Sequence, residues 1–273
     1  MEKQYYFLSG MPRSGNTVLS AILNQNPNIY SSPLSPVCQY LSLLDNHSKT
    51  HQGMKRSSDY TGSDNIMKNI LNNHYSHIDK PIIFDRDKYW GTETNLSLIK
   101  KYLNSSPKII LTVRPILEIL TSFILINKDN YIEDAMKADG WEYNDKLTIN
   151  DNICDYLMLT DRDLHQSAMF VKEYHKIENK DIYHLVEYEK LINSPDKTMS
   201  GIYDFLGIDH YAHNFKNILK LEIDDDSKVG MPKDMHKVRP ILQKISKNPE
   251  DILSKYTIDR YKGLDFWKFP SLT

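Results

Sequence analysis

The chain of 273 residues lacks the features that define several classes of protein. Its two cysteines, Cys38 and Cys154, are too few for a disulfide framework and have no companions at zinc-ligand spacing, so we expect a reducing, cytoplasmic location. The 34 Lys and Arg residues are balanced by 36 Asp and Glu residues, which leaves no general basic field for nucleic acid. No run of about eighteen apolar residues is present to span a membrane, and Gly10 and Arg13 interrupt the N-terminal segment before it can form the core of a signal peptide.

The segment Tyr5–Thr17, with the sequence YYFLSGMPRSGNT, carries the first chemical signal. Its apolar, β-favouring start, Tyr5–Leu8, predicts a buried strand, and the apolar spacing after Thr17 predicts a helix. Gly10 and Gly15 lie in the loop between them. A strand, a glycine loop and a helix in this order point backbone N–H groups and the positive end of the helix at a phosphate.

This loop departs from the phosphate loop of nucleotide triphosphatases at one position. The spacing of Gly10 and Gly15 matches that loop, but Asn16 occupies the place of the Lys that binds the β- and γ-phosphates. The cation lies within the loop instead, at Arg13. We therefore expect a loop that binds phosphate without metal-assisted cleavage of a triphosphate, and we expect no metal site.

The residues Pro12–Thr17, PRSGNT, resemble the 5′-phosphosulfate loop of sulfotransferases that use 3′-phosphoadenosine 5′-phosphosulfate (PAPS), a family that includes heparan-type and tyrosylprotein sulfotransferases. The resemblance implies that Arg13 is catalytic, because the basic residue of this loop contacts the 5′-phosphate and the bridging oxygen in the family. It also implies that five loop residues bind the cofactor, namely Arg13, Ser14, Gly15, Asn16 and Thr17.

A second segment resembles the same family about a hundred residues later. Lys108–Pro115, KIILTVRP, predicts a strand that ends in an arginine, and the helical spacing of Ile116–Ile126 places Ser122 eight residues after Arg114. In the family, a strand–Arg–helix–Ser unit of this kind holds the 3′-phosphate of PAPS. Arginine gives a bidentate, permanently charged grip on phosphate, and serine adds a neutral donor. The resemblance therefore implies that Arg114 and Ser122 bind the cofactor.

Two further segments resemble the family. His184–Gly207 is similar to a stretch in which Tyr188 would line the adenine and 3′-phosphate side of the cofactor. Met235–Pro240, MHKVRP, is similar to loops that carry a basic residue over the nucleotide, which makes Lys237 and Arg239 candidates for cofactor binding.

The acid–base candidates follow another apolar run. Ile82–Trp90, IIFDRDKYW, places Asp85 and Arg86 at the end of a predicted strand. This pair resembles the Glu-Lys pair at the same strand end of heparan-type sulfotransferases, although Asp is one methylene shorter than Glu. The resemblance implies that Asp85 is the catalytic base and that Arg86 is the cation beside the transferring group, with Lys88 as an alternative cation. Among the ten histidines, His236 is the other candidate for the base.

Strand and helix patterns alternate along the chain. This predicts one domain over residues 1–273, an α/β protein with a P-loop-like, three-layer α/β/α sandwich around a parallel sheet. Ligands bind at the carboxyl ends of such strands, where Gly10, Asp85 and Arg114 lie, and three polar excursions are expected around that edge, at 45–62, 127–148 and 220–240. The predicted strands are Tyr5–Ser9, Ile29–Ser31, Pro81–Phe84, Lys108–Val113 and Ile182–Val186, and the predicted helices include Thr17–Asn26, Pro36–Leu44, Asp64–His74, Glu93–Leu103, Ile116–Ile126 and Asn150–His175.

These observations predict a sulfotransferase that moves a sulfuryl group from PAPS to a hydroxyl or amine by in-line transfer and gives PAP, the desulfonated nucleotide. The acceptor class stays open among small molecules, carbohydrates, lipids and peptides, because variable loops form acceptor pockets in this fold. Two alternatives stay open as well. One is a P-loop nucleotide kinase-like enzyme, which Asn16 disfavours, and the other is a non-catalytic module that binds PAP or PAPS.

Overall fold

A five-stranded parallel sheet forms the centre of the protein. The computed structural model describes residues 2–56, 60–127, 130–219, 226–229, 235–245 and 247–268. The strands are β1 (Gln4–Gly10), β2 (Ile29–Ser31), β3 (Ile82–Arg86), β4 (Ile109–Val113) and β5 (Tyr183–Glu187). They lie in the order β2, β3, β1, β4, β5, and each neighbouring pair is parallel. All five predicted strands are present, with ends that differ by no more than two residues.

Helices connect the strands and cover the sheet. In chain order they are α1 (Asn16–Leu23), α2 (Val37–Thr50), α3 (Gln52–Arg56), α4 (Tyr60–Lys68), α5 (Ile70–His74), α6 (Glu93–Leu98), α7 (Ile116–Ile126), α8 (Tyr131–Ala138), α9 (Ile149–Leu157), α10 (Asp163–Ala168), α11 (Phe170–Tyr174), α12 (Tyr188–Asn193), α13 (Pro195–Leu206) and α14 (Lys255–Tyr261). A π-helical segment, Ile99–Leu103, extends α6. Among the described helices, none combines the length and the apolar character that crossing a membrane requires.

The strands separate two hydrophobic layers, because successive side chains of a strand point to opposite faces of the sheet. Phe7 and Leu111 pack on one face with residues of α2, α6, α7 and α9. Leu8 and Ile110 point to the other face and pack with residues of α1 and α13. All four side chains are fully buried, as in a parallel sheet that is covered on both faces. The predicted α/β sandwich is therefore confirmed.

The polar segment 45–62, predicted as an excursion from the regular fold, is helical at all its described residues except His51. Helix α2 runs to Thr50, and α3 and α4 follow it closely. Asp45 lies buried within α2 and accepts hydrogen bonds from Tyr102 (2.7 Å) and Lys49 (2.5 Å). A buried carboxylate with such partners lets a polar stretch of helix pack against the protein, and a search for apolar periodicity does not detect this.

The segment 127–148, predicted to be irregular, contains helix α8. Ile132 and Met136 are buried on one side of this helix and pack near Ile153 of α9. These are the only two buried positions among the eight residues of α8, so the periodic signal is weak, and the surrounding polar residues concealed it. Of the third excursion, 220–240, the structure describes 226–229 and 235–240, and the remainder lies outside the described residues.

The single long helix predicted over Asn150–His175 is instead three helices, α9, α10 and α11. The chain turns between α9 and α10, and Asp163 in the first turn of α10 accepts a hydrogen bond from the hydroxyl of Tyr89 (2.5 Å). Asp163 also pairs with Lys88 at 2.5 Å. These contacts with the segment after β3 stabilise the turn, so tertiary packing outweighs the local helical pattern.

Gly10 lets the end of β1 approach β4 closely. The N–H of Met11 donates to the carbonyl oxygen of Thr112 at 3.0 Å, and Gly10 has a φ of 137°. A Cβ atom at Gly10 would lie 2.3 Å from the same carbonyl oxygen, far inside contact distance. Glycine is therefore required here so that the loop after β1 can begin directly against β4.

Candidate active site

The loop between β1 and α1 leaves the carboxyl end of the central strand. Arg13 has a φ of 61° and Gly15 a φ of 98°, so the chain takes two left-handed steps before α1 begins at Asn16. Within the described residues, no side chain caps the N-terminus of α1. The N–H groups of a first helical turn have no acceptor within the helix, and they suit an anion together with the positive helix end.

The loop is held from its inner side by Ser14, which is 1% exposed. The hydroxyl of Ser14 lies 2.5 Å from both the carbonyl oxygen of Met11 and the hydroxyl of Thr112. The side-chain amide of Asn16 donates to the same carbonyl of Met11 at 3.1 Å. Both side chains thus shape the loop, and the geometry does not favour direct contact of these two side chains with a cofactor.

Arg13 extends from the loop to two distant segments. Its Nε donates to the hydroxyl of Ser122 on α7 at 3.2 Å, and its Nη1 donates to the carbonyl oxygen of Met235 at 2.7 Å. Burial lowers the pKa of Arg13, but an arginine side chain stays charged in proteins. The structure therefore places a fixed positive charge at the predicted phosphosulfate loop.

Arg114 lies directly beside Arg13. Its Nη1 donates to the carbonyl oxygen of Arg13 at 3.0 Å, and its Nε donates to Oε2 of Glu118 at 3.1 Å. The guanidinium carbon lies 4.3 Å from the centre of the Tyr188 ring. The structure thus brings together Arg13, Arg114, Ser122 and Tyr188, which come from three separate sequence motifs.

Tyr188 also contacts the loop. A Cβ atom at Gly15 would lie 3.0 Å from Cδ2 of Tyr188, so only a glycine leaves the ring undisturbed. Burial raises the pKa of Tyr188, and Arg239 is one of the cations that oppose this rise, which places its charge in the field of the same site. Lys237 and Arg239 are both exposed, and their predicted contacts with the cofactor stay predictions.

Arg86 connects the end of β3 to the start of α1. Its Nη1 donates to the hydroxyl of Thr17 at 2.9 Å, and its main-chain N–H donates to the hydroxyl of Ser32 at 2.9 Å. These bonds hold Arg86 next to the loop, where a second cation was predicted. The alternative cation, Lys88, pairs with Asp163 and points to that partner.

Asp85 lies beneath the sheet edge and is fully buried. Its Oδ2 accepts hydrogen bonds from the hydroxyls of Ser35 (2.6 Å) and Tyr75 (2.7 Å), and its Oδ1 accepts one from the indole N–H of Trp90 (2.7 Å). Burial raises the pKa of Asp85 to about 6, against the effect of these three donors. A carboxylate with both oxygens bonded and no exposed surface cannot meet an acceptor, so the structure does not support Asp85 as the base.

We expect Asp85→Asn to leave turnover within a few-fold of the wild type, because the amide can accept from Trp90 and donate to the two hydroxyls. Asp85→Ala should lower the free energy of unfolding by about 2–4 kcal/mol, since three buried donors lose their acceptor and a cavity remains. The contribution of Asp85 to the stability of the wild type should fall as the pH rises from 3.8 to about 6, because the folded carboxyl still holds a proton that the unfolded one has released.

Denaturant unfolding over this pH range and turnover at neutral pH test these expectations together. The part of the pH dependence that Asp85 contributes should disappear in Asp85→Asn, which has no carboxyl at this position, and the difference between the two proteins measures that part. A folded Asp85→Asn protein with turnover lowered by about 10²–10⁴ would instead support Asp85 as the base.

His236, the other predicted base, lies on the segment that reaches Arg13. Its Nδ1 is 2.6 Å from Oδ1 of Asp226, and its main-chain N–H donates to Oδ2 of the same carboxylate at 3.2 Å. Asp226 is buried, whereas the side chain of His236 is 34% exposed. A carboxylate that accepts from Nδ1–H fixes the tautomer and leaves the lone pair of the neutral ring on Nε2. This is the arrangement that a general base requires.

The structure adds four residues to the site that the sequence analysis did not identify. Glu118 lies four residues after Arg114, a spacing that pairs opposite charges at the start of a helix and could have been noticed. Thr112, Asp226 and Met235 meet their partners only through the tertiary fold, and no local pattern marks them.

One protein-family model matches a stretch of the chain that includes the loop after β1, Arg114 and His236. The family model of the sulfotransferase domain matches residues 3–258. The chain belongs to the sulfotransferase domain family. It is therefore a transferase of that family, and the motif resemblance stated from the sequence is confirmed.

Solved sulfotransferase structures share the fold of this sulfotransferase. The sulfotransferase domain of the Synechococcus PCC 7002 olefin synthase has a TM-score of 0.53 and 17% identity, over 96% of this chain and 89% of that chain. The sulfotransferase domain from the curacin biosynthetic pathway has a TM-score of 0.51 and 15% identity, over 96% and 91%. A sulfotransferase from Alicyclobacillus acidocaldarius has a TM-score of 0.51 and 14% identity, over 84% and 90%. A comparison with curated proteins gave no match.

Proposed function

We propose that this sulfotransferase takes its sulfuryl group from PAPS and transfers it in line to a hydroxyl or amine, releasing PAP. The contact between Arg13 and Arg114, which are 101 residues apart in the sequence, carries the proposal. Arg13 belongs to the glycine loop and bonds to the hydroxyl of Ser122, and Arg114 lies against the aromatic ring of Tyr188. A nucleotide with phosphate groups on both the 5′ and the 3′ positions fits such a pair of neighbouring cationic sites.

The residues present fit the donor in three places. The uncapped start of α1, with Arg13 and Arg86 beside it, supplies N–H groups and positive charge for the 5′-phosphosulfate. Arg114 and Ser122 would hold the 3′-phosphate, and the ring of Tyr188 would line the adenine side. The exposed cations Lys237 and Arg239 would approach from the outer side.

The chemistry that we propose needs charge stabilisation and one proton acceptor. A bond forms between the acceptor atom and sulfur while the bond from sulfur to the bridging oxygen breaks, so negative charge grows on that oxygen. Arg13 is a half-buried cation that two hydrogen bonds already fix, so it requires no rearrangement to stabilise this charge. Nε2 of His236 takes the acceptor's proton, and Asp226 orients the ring and stabilises the imidazolium that forms. Arg86 would add a second positive charge, and the proposal includes no metal ion.

Two alternatives are separated by direct measurements. A nucleotide kinase-like activity finds less support, because Asn16 stands in the place of the loop Lys and donates to a loop carbonyl. Calorimetry tests it, since a kinase should prefer ATP with magnesium to PAP. A non-catalytic module would bind PAP but transfer no label from PAPS to any acceptor. The panel for that assay should contain small molecules, carbohydrates, lipids and peptides.

Arg114→Ala is expected to weaken binding of PAP by about 2–3 kcal/mol, the scale of a charge-assisted hydrogen-bond pair left unmade. Binding of AMP, which has no 3′-phosphate, should hardly change. Titration calorimetry with both nucleotides measures this difference, and the AMP titration also reveals any loss that arises through the bond from Arg114 to the Arg13 carbonyl. Arg56→Ala, at an exposed arginine, serves as the control. Equal losses for PAP and AMP would contradict the 3′-phosphate assignment.

A further inference from the structure

Arg114 is held in one orientation by three contacts. Nε donates to Glu118, Nη1 donates to the carbonyl oxygen of Arg13, and the guanidinium carbon lies 4.3 Å from the centre of the Tyr188 ring. The side chain is only 5% exposed. Among the described residues, no acceptor bonds to Nη2, so both N–H groups of Nη2 and the second N–H of Nη1 are left for a ligand.

Glu118 is a negative charge beside a site that is proposed to bind a dianionic phosphate. Its carboxylate lies 3.1 Å from Nε of Arg114, and its side chain is 16% exposed. The charge of this carboxylate repels an incoming phosphate. If Glu118 favours binding of the phosphate, it therefore does so through its contact with Arg114. Without Glu118, the long side chain of Arg114, with its several rotatable bonds, would lose the charged partner of its Nε.

Helix α7 anchors both arginines of the site. Glu118 and Ser122 are four residues apart and therefore lie on one face of the helix. Glu118 holds Arg114, whose Nη1 in turn holds the main chain of Arg13, and Ser122 accepts from the side chain of Arg13. The orientation of Arg114 thus depends on a helix-borne carboxylate that never needs to touch the nucleotide.

We propose that Glu118 is a positioning residue for recognition of the 3′-phosphate, which acts by turning Nη2 of Arg114 toward that group. The inference rests on the proposed function and adds a specificity-determining residue to it. The geometry of the Glu118 carboxylate, rather than its charge, carries the effect, because an uncharged oxygen in the same place accepts the same hydrogen bond from Nε.

The test uses the full chain and compares Glu118→Ala with Glu118→Gln. Titration calorimetry gives the dissociation constants of PAP and AMP, and their ratio isolates the 3′-phosphate. Glu118→Ala should weaken PAP at least tenfold and change AMP by less than about threefold, the ordinary scale of a lost charged hydrogen bond. Glu118→Gln should keep the ratio of the PAP and AMP dissociation constants within about threefold of the wild type, because the amide oxygen can still accept from Nε of Arg114. Glu93→Ala is the matched control, since Glu93 also lies in the first turn of a helix but is exposed.

Three results would overturn the proposal. Tighter binding of PAP by Glu118→Ala would show that the carboxylate acts only as a repulsive charge. A lower melting temperature with an unchanged PAP-to-AMP ratio in both variants would show a purely structural role. If Glu118→Ala does not fold, Glu118→Gln serves as the test by itself. Loss of the preference for PAP over AMP in this isosteric variant would contradict the proposed geometric effect. The wild-type titration comes first: no preference for PAP over AMP would reject the proposed function itself.

Discussion

Arg13→Ala is expected to lower turnover by about 10²–10³, the usual loss when one preorganised transition-state donor is removed. The guanidinium is already fixed by Ser122 and the Met235 carbonyl, so the wild type spends no free energy of reorganisation during the reaction. Alanine retains a Cβ atom, and the backbone strain at a φ of 61° is therefore the same in both proteins. The difference in turnover between the wild type and Arg13→Ala therefore measures the loss of the guanidinium and its two hydrogen bonds.

The measurement is the rate of PAP formation at saturating PAPS and acceptor, with the melting temperature recorded for each variant. Arg13→Lys keeps the charge but loses the planar fork that bonds two partners at once, so its rate should fall between the other two. Wild-type turnover should continue in EDTA, because the cation of the loop is a side chain. Turnover that EDTA abolishes and magnesium restores would contradict the assignment of Arg13, as would a rate within a few-fold of the wild type in Arg13→Ala.

The strands were predictable because a parallel sheet buries both faces of each strand. Ile109–Val113 is apolar except at Thr112 and completely buried, so its sequence predicts its place without reference to the rest of the chain. The helices were harder to predict, because their polar residues also pack. Asp45 in α2 is inside the protein because Tyr102 and Lys49 bond to it, and those partners are close only in the folded chain.

The site residues divide in the same way, into those that a local sequence pattern identifies and those that depend on contacts made only in the folded chain. Arg13 lies within a glycine loop and Arg114 directly follows a strand, so a short local pattern identifies each of them. Asp85 also ends a strand, but whether it faces solvent depends on Ser35 and Tyr75, which arrive from other elements and enclose it. Local sequence therefore predicts which residues reach the edge of the sheet, and the packing of neighbouring helices decides which of them remain accessible.

His236 differs from Asp85 in that its side chain remains accessible, and this makes it the better candidate for the base. Its partner Asp226 is buried, its ring is partly exposed, and the preceding residue contacts Arg13. His236→Asn places an amide N–H close to the position of Nδ1, so the bond to Asp226 can be retained while the basic nitrogen is removed. We expect turnover to fall by about 10²–10⁴, the usual contribution of a general base. The affinity for PAP should stay within a few-fold of the wild type.

The chain offers a matched control for this variant. His210 also pairs with a carboxylate, Asp204 at 2.8 Å, but on the exposed surface after α13. His210→Asn should leave turnover unchanged, which excludes a general effect of breaking a His–Asp pair. Added imidazole should restore part of the activity of His236→Ala, because a free base can enter the space that the side chain leaves, and it should not restore Arg13→Ala. If His236→Asn instead keeps full turnover while Asp85→Asn loses it, the buried carboxylate must become exposed during the reaction, and His236 is not the base.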